Sequence, residues 1–256
     1  MKTRMGQDSR RSAFTLVELL IVMSILAMMF AMFAPVVARS RSAATQHNAM
    51  QAIRQLMPAV QLYAADYDDM FMLPYYAGTE AKTAWYGSEV DGIVDEKLGL
   101  LTPYVGRFAK DPTNETATPY KGNKAGFGYN WGYLGSSAYM TDDPVAALHP
   151  ASMTSLDDLS QTIAFATSAY YNPSWSNGDG RVYDYGFIDP LNKWNGNPTV
   201  DFRHHGTRTV DTMNQQVSSD GIALVQFCDG SVKPLKRTQI KQRMFERSGA
   251  SEMPNP

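Results

Sequence analysis

The stretch Phe14–Ala34 reads FTLVELLIVMSILAMMFAMFA, and its only polar residues are Thr15, Glu18 and Ser24. A helix of this length rises about 32 Å, close to the thickness of the hydrocarbon layer of a lipid bilayer. Because so long an apolar run is typical of a membrane-spanning helix, the stretch predicts one crossing near the amino terminus.

The residues before this run predict its orientation. Five charged residues, four of them basic, lie in the first thirteen positions: Lys2, Arg4, Asp8, Arg10 and Arg11. Basic flanks favour the cytoplasmic side, so the chain after the run would lie outside the cytoplasm. That larger part has an excess of acidic residues, and it offers no basic patch of the kind that binds nucleic acid. Cys228 is the only cysteine, which excludes an intrachain disulfide.

Glu18 is the unusual residue of the apolar run. A carboxylate at that depth costs about 2–3 kcal/mol even on lenient insertion scales, so it is expected to have a partner. The helix carries no basic residue within the membrane. The partner must therefore come from another chain or from a newly formed amino terminus.

The order Ala13, then Phe-Thr-Leu-Val-Glu over 14–18, resembles the amino terminus of type IV pilins and type II secretion pseudopilins. In that family a basic leader is followed by a cleavage site and an apolar helix. Counted from Phe14, Glu18 is the fifth residue and Pro35 the twenty-second, where many members also carry proline. The family usually has Gly before the cleaved bond, where this chain has Ala13.

The resemblance implies processing and assembly. A prepilin peptidase would cut between Ala13 and Phe14, and the new amine of Phe14 would be methylated. Glu18 would pair with that amine on a neighbouring subunit, and Pro35 would belong to the assembly helix. The implied product is a homo-oligomeric or hetero-pseudopilin filament, assembled by an inner-membrane platform. The protein would be a single-pass inner-membrane protein with its carboxy-terminal domain periplasmic or extracellular.

A second interpretation of the same region stays open. Val36-x-Ala38 could be cut by ordinary signal peptidase after the apolar run, which would release a soluble secreted protein. That interpretation leaves Glu18 unexplained.

Beyond the membrane, helical spacing continues from Ala38 to about Tyr67. Pro35 and Pro58 are expected to bend or kink the helix. One apolar stripe with three- and four-residue spacing is expected to pack on a sheet of the same chain: Met50, Ile53, Met57, Val60, Ala64 and Tyr67.

The predicted helix ends in an acidic stretch with Asp66, Asp68 and Asp69. A solvated turn is the first interpretation, and a calcium or other cation site is the alternative, because carboxylate oxygens suit that ion. The resemblance adds that one bacterial pilin-like group, with a His–Asp-Gly signature in its carboxy-terminal domain, has a similar acidic stretch there.

The last part of the chain predicts short strands. Residues 126–131 and 162–167 have strand composition, and 222–228 is the best strand. Asp229-Gly230 after it predicts a two-residue hairpin turn with positive φ at both positions. Pro234 places the second strand of this hairpin at an edge or at its own end, and Arg237–Arg247 predicts a short helix.

His204 and His205 lie upstream of this hairpin, at a longer spacing than the signature has, which indicates an insertion at about 207–220. A metal site at the two histidines is one interpretation, and hydrogen-bonded structural groups are the other.

Together these features predict an α+β, pilin-like fold in which a long amino-terminal helix packs on a carboxy-terminal antiparallel β-sheet. The expected parts are a leader (1–13), a membrane and assembly helix (14–37), its continuation (38–72) and a β-rich domain (73–256).

The expected role is that of a structural subunit and not of an enzyme, because the chain has no nucleophile elbow, phosphate loop, zinc motif or dinucleotide fingerprint. No cofactor is expected apart from the calcium alternative. The alternative function is a secreted or anchored carbohydrate- or surface-binding module that would use the four tryptophans Trp85, Trp131, Trp175 and Trp194.

Overall fold

The computed structural model describes residues 15–74, 76–77, 82–108, 110–114, 117, 126–138, 140, 146–176, 180–190, 199–213 and 216–247. Contacts divide the chain into two units, residues 1–44 and 45–256. The described part of the first unit belongs almost wholly to one helix. The second unit holds the rest of that helix, three small sheets and the hydrophobic core.

The helical region consists of two helices, α1 (Leu16–Arg54) and α2 (Leu56–Asp66). α1 continues through Pro35 without a break, and the interruption lies at Gln55. Its cause is Pro58, which cannot donate to the carbonyl of Arg54 and whose ring crowds that same carbonyl. The expected interruption by Pro58 is thus confirmed, and it falls at the end of α1.

The apolar stripe is buried as predicted for Ile53, Met57, Val60 and Ala64, and Met50 packs at its border. Tyr67 is the exception, because 53% of its surface is exposed. The helix ends at Asp66, and the extended φ of −127° at Tyr67 takes its side chain off the stripe. The Tyr67 ring stacks on Tyr63 instead, with 4.3 Å between the ring centroids.

The main sheet is antiparallel, with the strand order β10-β9-β6-β5. Its strands are β5 (Phe127–Tyr129), β6 (Ile163–Thr167), β9 (Ala223–Phe227) and β10 (Val232–Leu235). Every residue of the first three is buried, because the sheet is covered on both faces. The expected α+β layout of a long helix and an antiparallel sheet is therefore confirmed.

The two edges of the main sheet differ. Outside β5, Tyr129 donates its N–H to the carbonyl of Gly186 and accepts the N–H of Ile188, so an extended segment runs along that edge. At the other edge lies β10, which contains Pro234, as the sequence predicted.

The turn between β9 and β10 differs from the prediction. Phe227 donates its N–H to Ser231 across a three-residue loop, and Gly230 donates back to the carbonyl of Phe227. Only Gly230 has a positive φ, of 87°. Asp229 instead uses its side chain, which accepts the N–H of Ser231 at 2.8 Å. The expectation of positive φ at both positions is wrong, because the extra loop residue relieves Asp229 of that conformation.

Two smaller sheets complete the domain. One is a meander of β1 (Tyr76–Ala77), β2 (Lys82–Ala84), β3 (Gly87–Val90) and β4 (Ile93–Asp95). The other is the hairpin β7 (Arg208–Asp211) and β8 (Gln216–Ser219), which lies within the predicted insertion. The remaining helices are single turns, α3 (Thr102–Val105) and α4 (Pro173–Ser176).

The core lies on both faces of the main sheet. One face carries Phe165 and Leu224, which pack with the α2 stripe and Trp85. The other carries Ile163, Val225 and Phe227, which pack with Phe202, Ile240 and Phe245. The last two residues directly follow two short 3₁₀ turns, Arg237–Gln239 and Gln242–Met244, which stand in place of the single helix predicted there.

Candidate functional site: the start of α1 and a buried polar network

The start of α1 is built around Glu18. Its Oε2 accepts the backbone N–H of Thr15 at 2.9 Å and the Thr15 hydroxyl at 2.8 Å. In return, the N–H of Glu18 donates to the Thr15 hydroxyl at 3.2 Å. These reciprocal bonds form a capping box, in which residues at the cap and three positions later satisfy each other's free N–H groups. The carboxylate is thereby held at Thr15, the residue that follows Phe14 in the sequence.

The helix after this box has no polar face. From Leu16 to Val37 every side chain is exposed, and Glu18 is the only charged residue. The helix is long and apolar enough to cross a membrane by length and composition. An apolar surface on all sides requires an apolar environment outside the chain. This segment is therefore consistent with membrane anchoring.

The other residues predicted for processing and assembly fall in different places. Ala13 and Phe14 lie outside the described residues. Pro35 lies within the exposed part of α1.

The acidic stretch after α2 does not converge on one point. Asp66 accepts a hydrogen bond from the hydroxyl of Tyr104 at 2.8 Å. Asp69 accepts from the hydroxyl of Ser152 at 2.7 Å and from the N–H of Thr154 at 3.0 Å, and these bonds lower its pKa. Among the described residues, no three His, Cys, Asp or Glu side chains are grouped as metal ligands would be. Asp69 therefore attaches the helix end to the segment at 152–154.

The two histidines separate as well. His204 is buried, and its Nε2 lies 3.3 Å from Oδ2 of Asp111. His205 is exposed, has a positive φ of 56°, and contacts the Oε1 of Gln46 on α1 at 2.5 Å. The two side chains therefore contact different parts of the chain, Asp111 and Gln46, and do not share one site.

A buried ionic network lies beside His204, and Arg203 is its centre. The guanidinium donates to Asp111 at 2.6 Å, to Asp201 at 2.9 Å and to the carbonyl of Gly126 at 2.6 Å. Asp201 also pairs with Arg208, at the start of the β7–β8 hairpin. Arg203 thus ties its own segment to two segments that are distant in the sequence, those of Asp111 and Gly126.

Burial and charge act in opposite directions on the carboxylates of this network. Burial raises the pKa of Asp111, but Arg203 and the hydrogen bonds of His204 and Thr113 outweigh it and leave the pKa well below its usual range. Burial dominates at Asp184, whose pKa rises to about 6 although the N–H of Gly126 donates to it. Asp111 is therefore the charged partner of Arg203, whereas Asp184 is a buried acid that takes up a proton near pH 6.

The tryptophans do not form a binding platform in the described residues. Trp85 is buried and donates its ring N–H to the carbonyl of Gly186 at 2.6 Å. Trp131 is half-buried and donates to Asp189 at 2.9 Å. The side chain of Trp175 and the whole of Trp194 lie outside the description. The two rings that are described contribute to packing and hydrogen bonding.

Sequence reasoning missed two features of these sites. The capping box has a readable signal, Thr15-x-x-Glu18 directly before an apolar run. The pairing of Asp111 with Arg203 has none, because 92 positions separate the residues and only the fold brings them together.

Comparison with known proteins bears on the amino terminus alone. No curated protein matches the chain. No solved structure matches it either. A model described as the prokaryotic N-terminal methylation motif matches residues 8–34, a range that includes Ala13, Phe14 and Glu18. The chain therefore carries a prepilin-type amino-terminal motif, and this motif supports its assignment to the type IV pilin-like family.

Proposed function

We propose that this chain is a non-enzymatic structural subunit of a type II secretion or type IV pilus-like filament. In this proposal a prepilin peptidase cuts between Ala13 and Phe14, the Phe14 amine is methylated, and an inner-membrane platform assembles the subunits. The carboxy-terminal domain lies on the periplasmic or extracellular side. The observation that carries the proposal is Glu18, a single carboxylate in an exposed apolar helix that starts within the matched motif.

Glu18 supports assembly because the described part of α1 provides it with hydrogen bonds but with no cation. Its acceptor bonds come from Thr15, and neither group of Thr15 is charged. A carboxylate in lipid without a cation is costly, and pairing with an amine lowers that cost. The new amine of Phe14 on a neighbouring subunit is such a cation. Assembly would therefore pair the Glu18 carboxylate that membrane insertion leaves without a cation.

The capping box allows the two roles of Glu18 to be separated by mutation. Glu18→Gln keeps an acceptor for the Thr15 N–H but removes the charge, because Gln also completes capping boxes. Thr15→Val removes the hydroxyl and keeps the charge. Glu18→Ala removes both the charge and the cap.

The test is to express these variants with the assembly system and to measure membrane insertion, leader removal and sheared filament. If charge pairing drives assembly, Glu18→Gln and Glu18→Ala insert normally but give little filament, whereas Thr15→Val assembles. Normal filament from Glu18→Gln would overturn the pairing. The intact mass of the wild-type chain checks the processing: a start at Phe14 is expected, and an uncut chain without filaments would overturn the proposed function.

A further inference from the structure

A row of exposed residues runs along the outer side of the helical region, opposite the buried stripe. Its members are four positions apart, which places them on one side of a helix. They are Arg54, Pro58, Leu62 and Asp66, and all four are exposed. Leu62 exposes 56% of its surface at the middle of the row. We name this set the outer row.

The two ends of the outer row have opposite charge. Among the described residues, Arg54 has no ion pair or side-chain hydrogen bond, and neither has Asp68 beside the other end. At that end the exposed carboxylates of Asp66 and Asp68 flank Tyr67, whose ring is stacked on Tyr63 and half exposed. A guanidinium fits such a surface, because it pairs with carboxylates and stacks on aromatic rings.

The ends of one outer row cannot meet each other. Arg54 and Asp66 are twelve positions apart, which corresponds to about 18 Å of helix. The arginine side chain is much shorter than this, and the end of α1 together with α2 keeps the two residues apart. A contact between the basic end, at Arg54, and the acidic end, at Asp66, therefore requires a second molecule.

We propose that Arg54 of one subunit docks on Asp66, Tyr67 and Asp68 of a neighbouring parallel subunit that is shifted by about 18 Å along the helix axis. The contact uses different surfaces on its two sides, so each subunit offers a free end to the next and the array does not close. Leu62 and Pro58 lie between the charged ends and become covered by the neighbour. This inference rests on the proposed function and adds a second register contact outside the membrane.

The first test is cysteine cross-linking in assembled filaments. Subunits carrying Arg54→Cys are mixed with subunits carrying Asp66→Cys, in the background of the native Cys228, which is buried. The expected result is a disulfide-linked dimer in the mixture and none in filaments of either variant alone. Intact filaments without a dimer in the mixture would overturn the docking and leave the proposed function standing.

Charge reversal provides the second test. Arg54→Glu is expected to lower the filament yield about tenfold, because it opposes like charges at each contact. Adding Asp66→Arg and Asp68→Arg to the same chain restores the pairing and the yield. Arg243→Glu, at another exposed arginine, is the matched control and leaves the yield unchanged. Normal yield from Arg54→Glu would overturn the docking, and a wild-type chain that is neither cut nor assembled would overturn both proposals.

Discussion

Glu18 and Asp111 are two carboxylates whose surroundings in this chain differ. Asp111 is buried in the carboxy-terminal domain, where the guanidinium of Arg203 lies 2.6 Å away. Glu18 lies on an exposed apolar helix and receives hydrogen bonds only from its neighbour Thr15. We therefore expect the charge of Asp111 to contribute to folding stability and the charge of Glu18 to contribute to the proposed assembly. Each of the following predictions tests this contrast.

The largest effect is expected at Arg203. Arg203→Met leaves Asp111 and Asp201 buried without their shared cation, which costs about 3–5 kcal/mol of unfolding free energy. Chemical denaturation of the full chain in detergent measures this loss. Arg243→Met, at an exposed arginine, is the control and changes stability by less than about 0.5 kcal/mol. A stable Arg203→Met variant would mean that the buried network contributes little to folding.

A leucine-to-alanine change is expected to have different effects in the carboxy-terminal domain and in the exposed part of α1, because only the domain packs its leucines in a core. Leu224→Ala opens a cavity in the fully buried strand β9, and we expect a loss of about 3 kcal/mol in the same denaturation experiment. Leu20→Ala, on the exposed part of α1, should leave this transition unchanged and weaken insertion or assembly instead. Equal effects of the two changes on unfolding would contradict the contrast.

Asp184 gives a smaller effect, and its sign depends on pH. Because burial raises its pKa to about 6, the folded state binds the proton more tightly than the unfolded state, where the pKa is about 3.9. Stability should therefore fall as the pH rises from about 4 to about 6, by up to about 3 kcal/mol. Asp184→Asn should remove this dependence and be more stable than wild type at pH 7. Asp111 contributes in the opposite direction, because its pKa is lowered on folding, and its contribution is complete once the pH is well above the unfolded value of about 3.9.

The smallest effect is expected at Gly230, where φ is 87° and an added Cβ would meet nothing within 4 Å. Gly230→Ala should therefore cost only the backbone strain, about 1 kcal/mol. Thermal unfolding in detergent measures the difference. Ser231→Ala, next to it, removes a buried hydroxyl that has no partner among the described residues, and it should be neutral or slightly stabilising. A neutral Gly230→Ala would argue against the three-residue loop.

The sequence predicted those parts of the fold whose signals are local. The apolar run, the buried stripe and the edge position of Pro234 follow from spacing and from the missing N–H of proline. The dipeptide Asp-Gly shows the limit of local signals, because it forms two different turns in this chain. Asp91-Gly92 joins β3 and β4 with positive φ at both residues, whereas Asp229-Gly230 uses a longer loop with positive φ at the glycine alone. The register of the flanking strands decides between the two turns, and it depends on contacts across the sheet.

One part of the candidate site could likewise be identified from the sequence, and the other part could not. Glu18 stands out because a charge in an apolar run is visible in the sequence. Arg203 and Asp111 do not stand out, because their pairing depends on the positions of three separate segments.

The two edges of the main sheet bear on how copies of this protein can associate. At one border Gly186–Ile188 already uses the hydrogen-bonding groups that a foreign strand would need, and at the other Pro234 lacks an N–H to offer. Strand-by-strand stacking, the route to amyloid, therefore has little to attach to at either border of this sheet. Both borders therefore favour association of copies through surfaces other than this sheet.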